Sequence, residues 1–330
     1  VQRHRGVAAL AAAVVLWASF ALTIRGIGAS GLTPVDAAFL RFVTPVLLLA
    51  PWLPRALRAV RRERPGVVVA LCLAGLPHFL LSALGGRLTT AALVGLLLPG
   101  SVPLFVAVIL AVTRGERVRG RRLIALTAIV LGIAATAVLT TAGATTTGIG
   151  VLLAAGFVWA VYTIGLGRTR LDLISVVLVI CTPSAMVAAA LEVTGALPVN
   201  LSSAPVSHLA LFVVLQGVGT GIFSTLSYVY AVRRLGSGIP AVTGAISPVL
   251  TTVLAVPLFG EPITAGVVVA LALVVGGVIT YNVKPREKAG SAFAGPPPAA
   301  GHRPHVRGLQ PHLTTGVVEH PAAAGQLHLQ

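Results

Sequence analysis

The chain has 330 residues, of which 56% are hydrophobic and only 10% charged, and its mean hydropathy is +0.96. A soluble domain carries roughly 25% charged residues, so this chain lacks the charge to cover a water-facing surface, and a helical membrane protein with many spans is the class that fits. The net charge of +16 is no nucleic-acid footprint, because the basic residues are placed as a topology signal. The two cysteines, Cys72 and Cys181, fall inside apolar runs with neither metal nor disulfide spacing.

Ten apolar stretches follow one another, roughly at 6–24, 34–53, 66–85, 89–112, 123–142, 148–167, 172–191, 208–232, 238–259 and 263–283. Each is near the length of about 20 residues that crosses a bilayer as a helix. The first follows Arg3 and Arg5 as a secretory signal would. It is too long for the apolar region of such a signal and is expected to be retained. If the ends and loops are assigned alternately to two sides, 21 of the 24 Lys and Arg residues fall on the side of the N-terminus and two, Arg25 and Arg87, on the other. The remaining one, Arg41, lies within the second stretch. Such a bias predicts that both termini are cytoplasmic. Residues 289–330 are rich in Pro, Gly and His, a composition that predicts a disordered cytoplasmic tail with no metal site of defined geometry.

Displacing the chain on itself by 145 residues brings Pro103 onto Pro248, Gly115-Glu116 onto Gly260-Glu261, and Gly132 onto Gly277. At a displacement of 142, Trp17 meets Trp159. The predicted fold is therefore an all-α integral membrane protein with ten transmembrane helices. They form two inverted five-helix repeats, residues 1–143 and 144–288, because five spans are odd and the second repeat enters the membrane in the opposite sense. Inverted repeats are a recurring plan of secondary transporters, with the substrate site near midplane between them.

The residues that carry this repeat also carry a resemblance. The Trp17 region, Arg41-Phe42, the Pro103 stretch running into Gly115-Glu116, Trp159, and Ser247-Pro248 running into Phe259-Gly260-Glu261-Pro262 resemble the EamA-like branch of the drug/metabolite transporter (DMT) superfamily over about 6–284. The resemblance implies a multi-pass permease of the plasma (inner) membrane that works by alternating access. It also implies a central cavity lined by the first, third, fourth, sixth, eighth and ninth spans. Members of such families export amino acids, other metabolites or drugs. The expected activity is thus export of a small metabolite such as an amino acid, with multidrug or amphiphile efflux as the alternative. A membrane scaffold leaves the inverted repeat unexplained. An intramembrane enzyme lacks a clustered acid, base or nucleophile. No cofactor is expected. The expected partners are the lipid bilayer and a small-molecule substrate, with no nucleic acid, and the chain is expected to act as a monomer or homodimer.

Candidate residues follow from polarity inside the spans. Arg41 is either a counter-charge for a substrate carboxylate or a structural anchor, since an arginine at mid-span costs about 2.5–3.5 kcal/mol. His78 is the histidine deep in a span, either a proton carrier or a packed, hydrogen-bonded group. Trp17, Trp159, Tyr162 and Tyr228 suit either stacking on a substrate or helix packing. Gln216 and Ser224 form a polar stripe on the eighth span, and Ser101 and Ser247 stand beside the repeated prolines. These small polar groups are either cavity lining or helix contacts. Pro103 and Pro248 are expected to interrupt the backbone ladder at mid-span, as hinges or as static kinks. Gly217 and Gly221 suggest a close packing face. Glu116 and Glu261 are expected to pair with arginines or cap helices.

Overall fold

The computed structural model describes residues 2–139, 145–235 and 245–283. The tail expected over 289–330 and the start of the ninth apolar stretch lie outside the described residues. Every described element is a helix. In chain order these are α1 (Gln2–Gly26), α2 (Pro34–Leu48), α3 (Leu53–Val60), α4 (Pro65–Leu73), α5 (Leu76–Arg87), α6 (Ala91–Gly100), α7 (Val102–Arg114), α8 (Arg121–Leu139), α9 (Thr146–Leu166) and α10 (Leu173–Thr194). Then come α11 (Val206–Phe212), a π-helical stretch over Val213–Phe223, α12 (Ser224–Leu235), α13 (Ile246–Phe259) and α14 (Ala265–Asn282).

Among the described residues, eight helical stretches are long and apolar enough to cross a membrane. They occupy the first, the third to eighth, and the tenth of the expected spans. Helices are what such a sequence must form, because the bilayer core offers no water to satisfy backbone groups. Their outer faces are apolar: Val112, Met186 and Val206 are 81%, 68% and 79% exposed, a surface suited to lipid.

The second stretch is bent, and the ninth lies partly outside the described residues. The second does not continue to residue 53. It breaks after Leu48, and α2 and the following Ala50–Val60 segment meet at 66°, with Pro51 and Pro54 at the bend. Alone, α2 has 15 residues, about 22 Å of rise. The ninth is described only as the 14 residues of α13.

Local chemistry sets the boundaries. Thr33 and Asp36 form a reciprocal cap at the start of α2, with Thr33 N donating to Asp36 Oδ2 at 2.7 Å and Asp36 N to Thr33 Oγ1 at 3.2 Å. The glycine of each repeated Gly-Glu pair ends its helix in the left-handed region, Gly115 after α7 at φ 66° and Gly260 after α13 at φ 65°. An L side chain is disfavoured there, so this part of the repeat is a helix stop.

The packing of α8 on α14 is reciprocal. A Cβ on Gly132 would lie 2.6 Å from Val274 Cγ2 and 3.1 Å from the Ala270 carbonyl. A Cβ on Gly277 would lie 2.7 Å from Ile129 Cγ1 and 2.8 Å from the Ala125 carbonyl. Val274 and Ala270 stand 145 residues after Ile129 and Ala125, the same interval that separates the two glycines. Each glycine thus receives the neighbour's equivalent of its own flank, the pattern of contacts about a two-fold axis.

Candidate functional site

Arg41 stands in the middle of α2 and turns toward the π-helical stretch. Its Nη1 donates to Gln216 Oε1 and to Thr220 Oγ1. Gln216, which is fully buried, donates from Nε2 to Thr23 Oγ1 on α1. The guanidinium is further enclosed by three rings, with Cζ 4.9 Å from the centre of Phe20 and 5.6 Å from those of Phe42 and Phe79.

Gln216 and Thr220 stand four residues apart, a spacing that puts both on one face of the helix. The stretch that carries them is π-helical, a feature frequent at functional sites. It is seated by glycines. A Cβ at Gly217 would lie 2.6 Å from Thr44 Cβ, one at Gly219 2.9 Å from Leu16 Cδ2, and one at Gly221 3.0 Å from Pro45 Cγ. Gly217 and Gly221 therefore form a close face against α2, and Gly219 one against α1.

An aromatic layer extends from this cluster. Phe20 stacks on His78 at 6.2 Å, His78 meets Trp159 edge-on at 4.7 Å, and Trp159 meets Tyr162 at 5.9 Å. His78 is buried. Its Nδ1 lies 3.1 Å from the Ala155 carbonyl oxygen and its Nε2 3.5 Å from Ser82 Oγ. Arg41, Gln216, His78, Trp159 and Tyr162 are thus brought into one connected set.

The other candidates stand apart from it. Trp17 packs on Tyr228 at 5.1 Å, about one turn before Phe20 on α1. This pair mirrors the other one in position: a tryptophan of the first span meets the eighth, and a tryptophan of the sixth meets the third. Ser224 donates to the Thr220 carbonyl at 2.7 Å within its own helix. Ser101 is buried with its hydroxyl lacking a hydrogen-bond partner, against Gly156, where a Cβ would come within 2.1 Å of Oγ. Ser247 is buried in the first turn of α13.

The two prolines sit in the first turns of their helices. Pro103 sits in the middle of the α6–α7 span, yet it occupies the first turn of α7, after the break at Ser101. Pro248 likewise occupies the first turn of α13, whose internal proline is Pro257. A proline in a first turn gives up no hydrogen bond of its own helix.

Sequence reasoning did not single out Thr23, Thr220, Phe20 or Phe79. The Gln216-x-x-x-Thr220 spacing across a glycine run was the available signal for Thr220. Nothing local marks Thr23 or the two phenylalanines. Among the described residues, no group of three or more His, Cys, Asp or Glu side chains is placed to hold a metal.

Residues 146–283 match the model of the EamA-like transporter family. The chain carries an EamA-like transporter domain. Fifteen chains of solved structures match. One, described as "Crystal structure of protein", is 22% identical, with 85% of this chain and 99% of that chain covered at a TM-score of 0.55. At that identity the match speaks for the fold alone, over most of the chain. The search of the curated proteins gave no match.

Proposed function

We propose that this EamA-like protein is a secondary transporter of the DMT type that exports a small metabolite across the plasma membrane by alternating access. The reading includes ten spans in two inverted five-helix repeats with both termini cytoplasmic. The observation that carries it is the reciprocal seam of α8 and α14. Two halves related by a local two-fold can exchange their conformations, which is what alternating access requires. The exchanged partnering of Trp17 with Tyr228 and Trp159 with His78 supports the same relation.

The chemistry of the centre favours a partly apolar, zwitterionic compound such as an amino acid. Rings supply stacking surface, and Gln216, Thr220 and Thr23 supply polarity. A strongly cationic drug would call for a buried carboxylate, and none adjoins the cluster among the described residues. Efflux of uncharged amphiphiles is the second reading, favoured by the same rings.

Purified protein in liposomes should exchange a labelled neutral amino acid against the same unlabelled compound inside. Failure of all twenty amino acids to exchange, with uncharged amphiphiles moving instead, would replace the first reading by the second.

A further inference from the structure

We infer that Arg41 is the docking point for a carboxylate on the transported compound, held in position by Gln216 and Thr220. The inference deepens the transporter reading and rests on it for the word "transported". A guanidinium presents five N–H donors in a rigid fork. Here Nη1 makes both of the hydrogen bonds, to Gln216 and Thr220. Nε and Nη2 donate to nothing among the described residues, although the side chain is only partly buried. The ion pairs among the described residues are Arg25–Glu261, Arg55–Asp172 and Arg114–Glu116, so Arg41 has no carboxylate partner there.

The neutral neighbours supply no counter-charge. The hydrogen bonds to Gln216 and Thr220 and the three rings lower the cost of placing the arginine in a span. They leave its positive charge intact and part of its fork empty. That fork matches a carboxylate in two parallel bonds.

The charge also selects among anions. A single arginine with no second cation beside it balances a monoanion, whereas a phosphate near −2 would leave an excess negative charge in a low-dielectric site. Phe20 and Trp159, each only partly buried and joined through the buried His78, lead away from the guanidinium and offer their uncovered parts to an apolar body. The ligand class is therefore a small monocarboxylate with an apolar or aromatic body.

The test compares acids with their primary amides. Detergent-solubilised protein is heated with each of the twenty amino acids and with straight-chain carboxylates from acetate to hexanoate, against the matching amides at equal ionic strength. At least one acid should raise Tm while its amide does not. Arg41→Gln should abolish the shift, and Arg41→Lys, which keeps the charge but not the fork, should retain part of it. No shift with any acid, equal shifts with acid and amide, or an undiminished shift in Arg41→Gln would each overturn the assignment. Should Arg41→Gln fail to fold, the acid–amide comparison on the unaltered protein decides. Flux of the same pairs through liposomes separates the two levels. Acid moving at least tenfold faster than amide supports the site. Equal rates overturn the site and leave the transporter reading standing. A Tm shift without flux of any acid overturns the transporter reading and leaves the site.

Discussion

Glu261 ties the end of α1 to the start of α6. Arg25 Nε donates to its Oε1 at 2.9 Å, and Ala91 N, the first amide of α6, donates to its Oε2 at 2.8 Å. The equivalent residue of the first repeat, Glu116, makes no such link. It meets Arg114 of its own turn at 3.5 Å, with both side chains half exposed. The spaces beside the two glutamates differ accordingly. Thr252, Glu261, Pro262, Ile263 and Thr264 line, together with Thr90 and Ala92, a cavity of about 20 Å³. Their equivalents Ala107, Glu116, Arg117, Val118 and Arg119 line an open groove of about 520 Å³. Glu261 latches two helices together, and Glu116 does not.

Breaking the latch should expose the residues beneath it. In a background lacking Cys72 and Cys181, a cysteine at Ala92 should resist a membrane-impermeant thiol reagent in intact cells. Adding Glu261→Gln removes charge-assisted bonds of about 1–3 kcal/mol and should raise the labelling rate several-fold. Glu116→Gln should leave it unchanged. Equal protection in all three proteins would show that Glu261 caps a helix without closing anything.

The α8–α14 seam makes a second prediction, with an internal control. Gly277→Ala places a methyl 2.8 Å from the Ala125 carbonyl, and Gly132→Ala one 2.6 Å from Val274. Overpacking of this kind costs about 1–3 kcal/mol, so each should lower Tm by several degrees. Gly276 has nothing within 4 Å of its ideal Cβ, and Gly276→Ala should be neutral. If all three behaved alike, the glycines would not be the seat of the packing.

Much of this was visible in the residues. Registered Gly-Glu pairs and Gly132 with Gly277 marked the repeat, and the structure gives them a helix stop and a helix seam. An arginine in an apolar run announces itself by its cost. What stayed hidden was the geometry that depends on neighbours far along the chain. The π-helical turn over Val213–Phe223 leaves no mark in hydropathy, and the spacing of Gln216 and Thr220 shows that they share a face without showing that Arg41 meets it. The bend after Leu48 was hidden because apolar residues run on past it, although Pro51 and Pro54 mark it. Asp36, at the start of α2, carries no signal of its partner. It is fully buried, and its two oxygens receive Asn200 N at 3.0 and 3.1 Å, a tie across 164 residues that no local pattern carries.

Topology is tested at exposed sites. With 21 basic residues on one side and two on the other, Arg62→Cys in the turn between α3 and α4 should stay unlabelled by an impermeant reagent in intact cells. Ser202→Cys, before α11, should label. Reversal of this pattern would place the termini outside.

A pH effect is expected where the loops meet. Glu63 Oε2 receives Arg170 N and Thr169 Oγ1, each at 2.8 Å. The Arg170 amide, then the Thr169 hydroxyl, hold its carboxyl below the ordinary value. A depressed carboxylate stabilises the folded form above its unfolded pKa, and that contribution is lost as pH falls through the folded value. The link is solvated and contributes at most about 1 kcal/mol. Hydrogen exchange at the Arg170 amide should therefore gain protection as pH rises out of the acid range, after correction for intrinsic rates. Glu63→Gln should flatten the dependence, and an unaltered dependence would assign it to another group.

The last prediction concerns coupling. A proton relay needs a partner within hydrogen-bond reach that can pass the proton on. His78 Nδ1 faces the Ala155 carbonyl, and Ser82 Oγ, 3.5 Å from Nε2, already donates to His78's own carbonyl at 2.8 Å. No carboxylate touches the ring among the described residues. His78 is placed as a wedge between Phe20 and Trp159, where its loss would disturb packing rather than proton traffic. Exchange in liposomes should run without an imposed pH difference. His78→Gln should lower the rate by a similar factor at every pH between 5 and 8, and Trp159→Ala should do the same. A wild-type flux that requires a proton gradient, together with a His78→Gln protein that has lost that requirement, would make His78 the carrier and overturn the uncoupled mechanism.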